Sequence, residues 1–417
     1  MAHINHSRDI VTMRSMPLSE ALSGARMLQS VAAFGGTSRQ RRESALYTIR
    51  RFCSHMGVIV LQNDQQLANQ LGLLGRQRTE LAIADPNFRT YNENPAGSPV
   101  HYYDPLYGLS ASGVLDAIIP ADSAMPDAFA TRGYLSAYLE ILLALFRKDS
   151  VAFGDYPYSL DILLQLVEMS PLDLERSVLP RLPSQTRDRI RAVLMHDGAQ
   201  LSAYTAVNSF AAEMATFLWT RRMPRDHTQS SMIDAVQRGC ISCVTMPAAS
   251  LRVLHYIYLE LRELINRHIP FMLVVDDVDL SQSDELCQLF MAPHESSSYC
   301  TAVFEPAISQ IARNDQEVGS FLAQHASILV FACSNAQQAQ PFSDALGTYQ
   351  RTITDRNVTS QRTPFAIFSS HGNGSTTHET QEHNITVEDL MGLGSGAVLC
   401  GNLYHLPEII ESINLGK

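Results

Sequence analysis

The sequence predicts an α/β protein, a mostly parallel sheet flanked by helices and interrupted by an all-helical insertion. Three observations lead there: short β-branched apolar runs bounded by turn residues recur along the chain, segments with helical spacing lie between them, and one long stretch carries helical spacing alone.

The expected strands are Val31 to Phe34, Val58 to Leu61, Ile241 to Met246, Phe271 to Val275, Cys300 to Phe304, Ile328 to Phe331 and Ala397 to Cys400. Each is dominated by apolar residues, with only Ser242, Thr245 and Thr301 polar, as suits a strand covered on both faces. Leu251 to Ile265 repeats apolar residues at Leu251, Leu254, Tyr258, Leu261 and Leu264, and Asp315 to His325 does so at Val318, Phe321 and Leu322, so both are expected helices. Ala128 to Trp219 holds several such segments and no strand-like run, with Pro120 and Pro126 before it and the polar Arg221 to His227 after it. The expected organisation is an N-terminal extension (1–24), a first α/β part (25–127), an all-helical domain (128–225) and a second α/β part (226–417). Phe271 to Val275 is expected at the centre of the sheet, beside Val31 to Phe34. The polar run Ser369 to His383 reads as a mobile loop, and its His371, His378 and His383 as solvated rather than metal-binding.

With 417 residues, 45% hydrophobic and 18% charged, the chain buries a real core, which excludes wholesale disorder, collagen and coiled coil. Its 31 basic and 42 acidic residues give a formal charge of -11, so no global field holds it on nucleic acid or an anionic membrane, and any DNA contact is local. The only lysines are Lys148 and Lys417. The longest apolar run, Tyr134 to Phe146, contains Glu140 and falls short of the roughly 20 residues a membrane span needs. No signal peptide is visible, so a cytoplasmic setting is expected, without direct membrane insertion. The seven cysteines are odd in number and scattered through apolar segments, and Cys240 and Cys243 read as core residues rather than metal ligands.

Phe271 to Val275 ends in Asp276 and Asp277, the form of a Walker B motif. A buried strand delivers the first acid to its carboxyl end, where it can hold magnesium, and places the second to polarise a water. A parallel strand running into an acidic turn has the same pattern. Upstream, Val31 to Phe34 leads into Gly35, Gly36, Thr37 and Ser38 and then a helical segment, the place for a phosphate loop. Counted from Gly36, the later glycine of G-x-x-x-x-G-K-[ST] is Arg41, the lysine is Arg42 and the hydroxyl residue is Glu43. The loop is degenerate. Arg39, Arg41 and Arg42, with Arg50 and Arg51, either grip phosphate or face solvent or a neighbouring subunit.

In order, these pieces resemble the soluble part of the type IV coupling proteins, conjugation and secretion ATPases of the FtsK/HerA branch of the RecA-like fold. The resemblance runs through the loop, the strand Val58 to Asp64, the Tyr103-Asp104-Pro105-Leu106 segment, the helical insertion, the strand ending at Pro247, the Asp276–Asp277 strand, and Cys300 to Gln310; it continues through Ile328 to Asn335, Ser343 to Gly347 and Ala397 to Pro407. It covers roughly residues 25 to 410 and departs from the family in lacking the loop lysine and membrane helices, and in Asp277 and Glu305.

The resemblance implies a RecA-like sheet with ATP and Mg2+ as candidate cofactors. The candidate site is Gly35, Gly36, Thr37, Ser38, Arg41 and Arg42 for the nucleotide, Asp276 for metal, Asp277 as base and Gln310 as a sensor-like residue. Two functions follow. One is a degenerate ATPase with an assembly, adaptor or regulatory role; the other is an active motor that moves DNA or protein through a hexameric ring. The implied partners are type IV secretion or conjugation proteins, among them an active coupling ATPase or substrate adaptors, with homo-oligomerisation and docking at the inner membrane through such partners. Glu43 is expected beside Asp276 and Asp277, with Arg41 or Arg42 neutralising the acids.

Overall fold

A computed structural model of the chain describes residues 11–22, 29–53, 55–64, 66–77, 83–84, 101–121, 123, 125, 127–148, 159–194, 199–217, 228–237, 241–246, 250–291, 298–360, 371–401 and 408–415. The expected segments at Arg221 to His227, Pro247 and Pro407 lie outside them.

The chain begins with β1 (Val11–Met13), β2 (Met16–Pro17) and the short α1 (Leu18–Ala21), followed by β3 (Ser30–Phe34), α2 (Ser38–Phe52), β4 (Gly57–Gln62), α3 (Gln66–Gln77), β5 (Ile83–Ala84) and β6 (His101–Tyr103). α4 (Ala111–Ile118) and α5 (Ala128–Lys148) lead into helices Leu160–Glu168, Ser184–Leu194 and Ala199–Phe217. After these come β7 (Thr228–Ser230), β8 (Ile241–Thr245), the helix Leu251–Asn266, β9 (Phe271–Asp276), β10 (Tyr299–Glu305), β11 (His325–Phe331), β12 (Thr348–Ser360), β13 (His371–His383), β14 (Ala397–Gly401), β15 (Glu408–Ile410) and β16 (Ile413–Asn414).

Ten strands make one sheet in the order β1-β15-β14-β11-β3-β10-β9-β4-β8-β5. Only the pairings of β14 with its two neighbours are antiparallel. The apolar strands are buried on both faces because helices cover both. Within β3, Ala32 and Phe34 join one hydrophobic cluster while Val31 and Ala33 join the other, the two-residue alternation of a pleated strand. The first cluster runs on into the helical stretch through Leu135, Tyr138, Leu163 and Phe210, and the second takes up the buried face of α2 through Ala45, Ile49 and Phe52. Among the described residues, 128–217 contains helices and no strand. No helix among the described residues is long and apolar enough to cross a membrane.

Two expectations change. β9 is not the neighbour of β3: β10 lies between them, pairing Ala302 with Val31 on one side and Tyr299 with Phe271 on the other. Fully apolar strands are interchangeable by pattern, so spacing along the chain does not order them across the sheet. The run read as a mobile loop is, over residues 371–383, a strand paired antiparallel with Thr348–Ser360. Its histidines meet Ser360, Ile353 and Thr348, which spreads them over roughly 40 Å of ribbon and excludes a shared metal. Within the N-terminal extension, Val11–Met13 forms β1 and pairs with β15 at the sheet's edge.

The chain entering and the chain leaving the helical stretch are tied to each other in a separate two-stranded sheet. β6 and β7, just before and just after it, pair in parallel. Asp104, only 1% exposed, accepts from the Leu106 amide at 2.9 Å and from the Leu160 amide at 3.1 Å, so one carboxylate holds the turn after β6 and the start of the helix Leu160–Glu168. Burial pushes its carboxyl up to about 6. Asp104→Ala leaves two buried amides without an acceptor and is expected to cost about 2–4 kcal/mol, whereas Asp104→Asn keeps an acceptor and costs far less; the urea midpoints of the two variants check this.

Candidate functional site

The carboxyl ends of β3, β9, β10 and β4 meet at one place on the sheet edge, as parallel strands require. β3 delivers Gly35 and Gly36, β9 delivers Asp276 and Asp277, β10 delivers Glu305, and the turn after β4 delivers Asp64. α2 starts above them. Gly35 and Gly36 both take positive φ, 71° and 61°. A Cβ on Gly35 would stand 2.9 Å from the Phe331 carbonyl oxygen, and one on Gly36 would stand 2.7 Å from Phe331 Cβ, so only glycine lets the loop lie this close to β11.

The loop's donors are taken up inside the fold. The Gly35 amide donates to Glu305 O at 3.1 Å and the Gly36 amide to Ala332 O at 2.8 Å. Thr37 caps α2: its hydroxyl accepts from the Gln40 amide while the Gln40 side chain accepts from the Thr37 amide at 2.8 Å. The loop's acceptors turn the other way. Arg41 Nη1 donates to Gly35 O at 3.0 Å and to Gly36 O at 3.1 Å, and Nη2 stands 3.8 Å from Asp277. Arg41 is 4% exposed. A phosphate cradle needs converging N–H groups; here two carbonyls converge on a guanidinium. As arranged, the loop does not fit a triphosphate.

Arg42 links the next two elements. Its Nε lies 3.9 Å from Asp276 Oδ2, while its Nη atoms reach Asp64 at 3.5 Å and Gln66 at 2.6 Å. Asp64 Oδ1 accepts from the Gln66 amide at 2.8 Å, so the arginine is fastened to the start of α3. The charges that act on Asp276 include those of Arg42, Asp277, Arg41 and Asp64. Glu43, expected beside these acids, is half-buried on the first turns of α2. The second carboxylate beside Arg42 is that of Asp64.

Asp276 is buried, and burial, against the pull of Arg42, raises its carboxyl to about 6. Asp277 has φ 59°, a left-handed turn that Asp tolerates better than most residues. The turn is held by the Asp277 amide on Phe304 O at 3.2 Å and the Val278 amide on Glu305 Oε1 at 2.8 Å. Glu305 is fully buried, its Oε2 has no hydrogen-bond partner, and burial drives its carboxyl well above its ordinary range, toward the neutral form. Gln310 lies in the 3-10 turn Ile308–Gln310, where its carbonyl accepts from the Leu280 amide. Ser38 is exposed on the first turn of α2. The side chain from β10 that stands among the acids is therefore Glu305. The sequence carried one sign of it: a carboxylate at the polar end of an apolar strand.

No protein-family model matches the chain, and a search of curated proteins finds no match. Among solved structures, VirB4 of Thermoanaerobacter pseudethanolicus is similar, at 12% identity over 82% of this chain and 89% of that chain, with a TM-score of 0.37.

Asp276 sets a pH dependence with a definite sign. Its folded carboxyl holds a proton up to about 6 against an ordinary 3.8, so the folded state keeps a proton that the unfolded chain releases. Stability is expected to fall by roughly 3 kcal/mol as pH rises from about 4 to about 6, with Glu305 adding in the same direction. Asp276→Asn should flatten that slope, matching or exceeding wild type above pH 6.5 and losing the advantage below pH 4; denaturant midpoints across this range check it.

Proposed function

We propose that this chain is a coupling-protein-like component of a type IV secretion or conjugation apparatus that keeps an ATPase-like sheet without its nucleotide chemistry, and that it serves assembly, adaptation or regulation. The apparatus is suggested by the order of motifs along residues 25 to 410. One observation carries the loss of chemistry: the Gly35 and Gly36 amides bond within the fold, and Arg41 occupies the loop from inside. The partners on this reading are other proteins of the apparatus, an active coupling ATPase or substrate adaptors among them. Any place at the inner membrane comes through those partners.

A working motor is the competing reading, and it draws on Arg42 facing Asp276, where it would stand in for the loop lysine. Phosphate release separates the two. On the proposed reading wild type releases phosphate from ATP no faster than Asp276→Asn, and robust release that disappears in Asp276→Asn hands the case to the motor.

Thermal melting gives a second check. A ligand at a hundred times its dissociation constant stabilises a fold by about 2.7 kcal/mol. Millimolar Mg-ATP is expected to leave the melting temperature of wild type unchanged. Arg42→Ala is expected to lower stability by about 1–3 kcal/mol, because it strands Asp276 and Asp64 together; an Arg42→Ala protein as stable as wild type, with a nucleotide-dependent shift in wild type, contradicts the proposal.

A further inference from the structure

We infer that the β3–α2 loop is a guanidinium-binding site whose resident ligand is Arg41. The inference rests on the closed-loop reading above and adds the chemical class of ligand the loop takes. Gly35 O and Gly36 O accept from the same nitrogen, Nη1, at 3.0 and 3.1 Å, and Asp277 stands 3.8 Å from Nη2. Those acceptors spread around one end of a planar fork, the geometry that suits a guanidinium better than a point-charge ammonium. Glu305, fully buried, backs the loop from β10: its main-chain carbonyl accepts from the Gly35 amide and its Oε1 from the Val278 amide.

The loop backbone is fixed in this acceptor-inward form from outside the cradle. Gly35 and Gly36 press against Phe331 with no room for a Cβ, and their amides are held by Glu305 O and Ala332 O. Withdrawing the Arg41 side chain therefore leaves converging oxygens rather than converging N–H groups. The vacated cradle takes a small planar cation and refuses an anion.

Chemical rescue tests this. Arg41→Ala is melted alone and in low-millimolar guanidinium chloride, with equal sodium chloride, urea and sodium phosphate as controls. The expected result is a melting temperature several degrees below wild type that recovers at least half of the loss, saturably, in guanidinium alone, while wild type gains nothing. Stabilisation of the variant by phosphate or Mg-ATP and not by guanidinium overturns the inference, since it means that Arg41 had covered an anion site; no response to any of them overturns it too. Should Arg41→Ala fail to fold, Arg41→Lys keeps the charge without the fork. It is expected to melt below wild type and to gain from guanidinium, and a variant equal to wild type without such a gain contradicts the cradle. If wild type binds Mg-ATP while Arg41→Ala is still rescued by guanidinium, the proposed function fails and the cradle stands.

Discussion

A guanidinium buried at 4% exposure is the constraint on which the site depends. Leaving such a charge unpaired costs several kcal/mol or more, so the fold around it must supply acceptors. The nearest are the carbonyls of the two glycines; the Gly35–Gly36 peptide that turns its oxygen toward Arg41 points its N–H, that of Gly36, at Ala332 O, while the preceding peptide gives the Gly35 amide to Glu305 O. The same rotation that satisfies the arginine removes the donors that an anion would need. Loop polarity, cation placement and the closeness of the loop to β11 are one arrangement.

The sheet order makes the arrangement possible. With β10 between β3 and β9, the end of β10 reaches both the loop and the Asp276–Asp277 turn. Glu305 does so with two groups, its carbonyl on Gly35 and its carboxyl on the Val278 amide. Burial pushes its carboxyl well above the ordinary range, and that carboxyl joins the two turns. Arg42 completes the set by joining α2 to α3 through Asp64 and Gln66.

Much of this was legible in the sequence because burial on both faces leaves an unmistakable trace. Every strand expected from a continuous apolar run is present, since nothing polar is tolerated on a strand such as Phe271–Asp276 before its end. Strand order was not legible, because β9 and β10 are equally apolar and pattern carries no lateral address. The β12–β13 hairpin was missed for the opposite reason: a ribbon rich in Thr, Gly and His has no apolar face to announce it, and its pairing is read from the backbone alone. At the site, the sequence singled out Arg41, Arg42, Asp276 and Asp277, but not Asp64, which the turn after β4 brings against Arg42 and which no motif position announced.

The central claim is that the loop is closed by its own side chain, and the amide hydrogen exchange of Gly35, Gly36, Thr37 and Gln40 tests it most directly. In nucleotide-free protein the account predicts protection comparable to that of the β3 core for the three amides bonded to Glu305 O, Ala332 O and the Thr37 hydroxyl, slower exchange than an open loop for Thr37, and no change when millimolar Mg-ATP is added. Fast exchange of these amides without nucleotide, followed by protection on adding Mg-ATP, would contradict it.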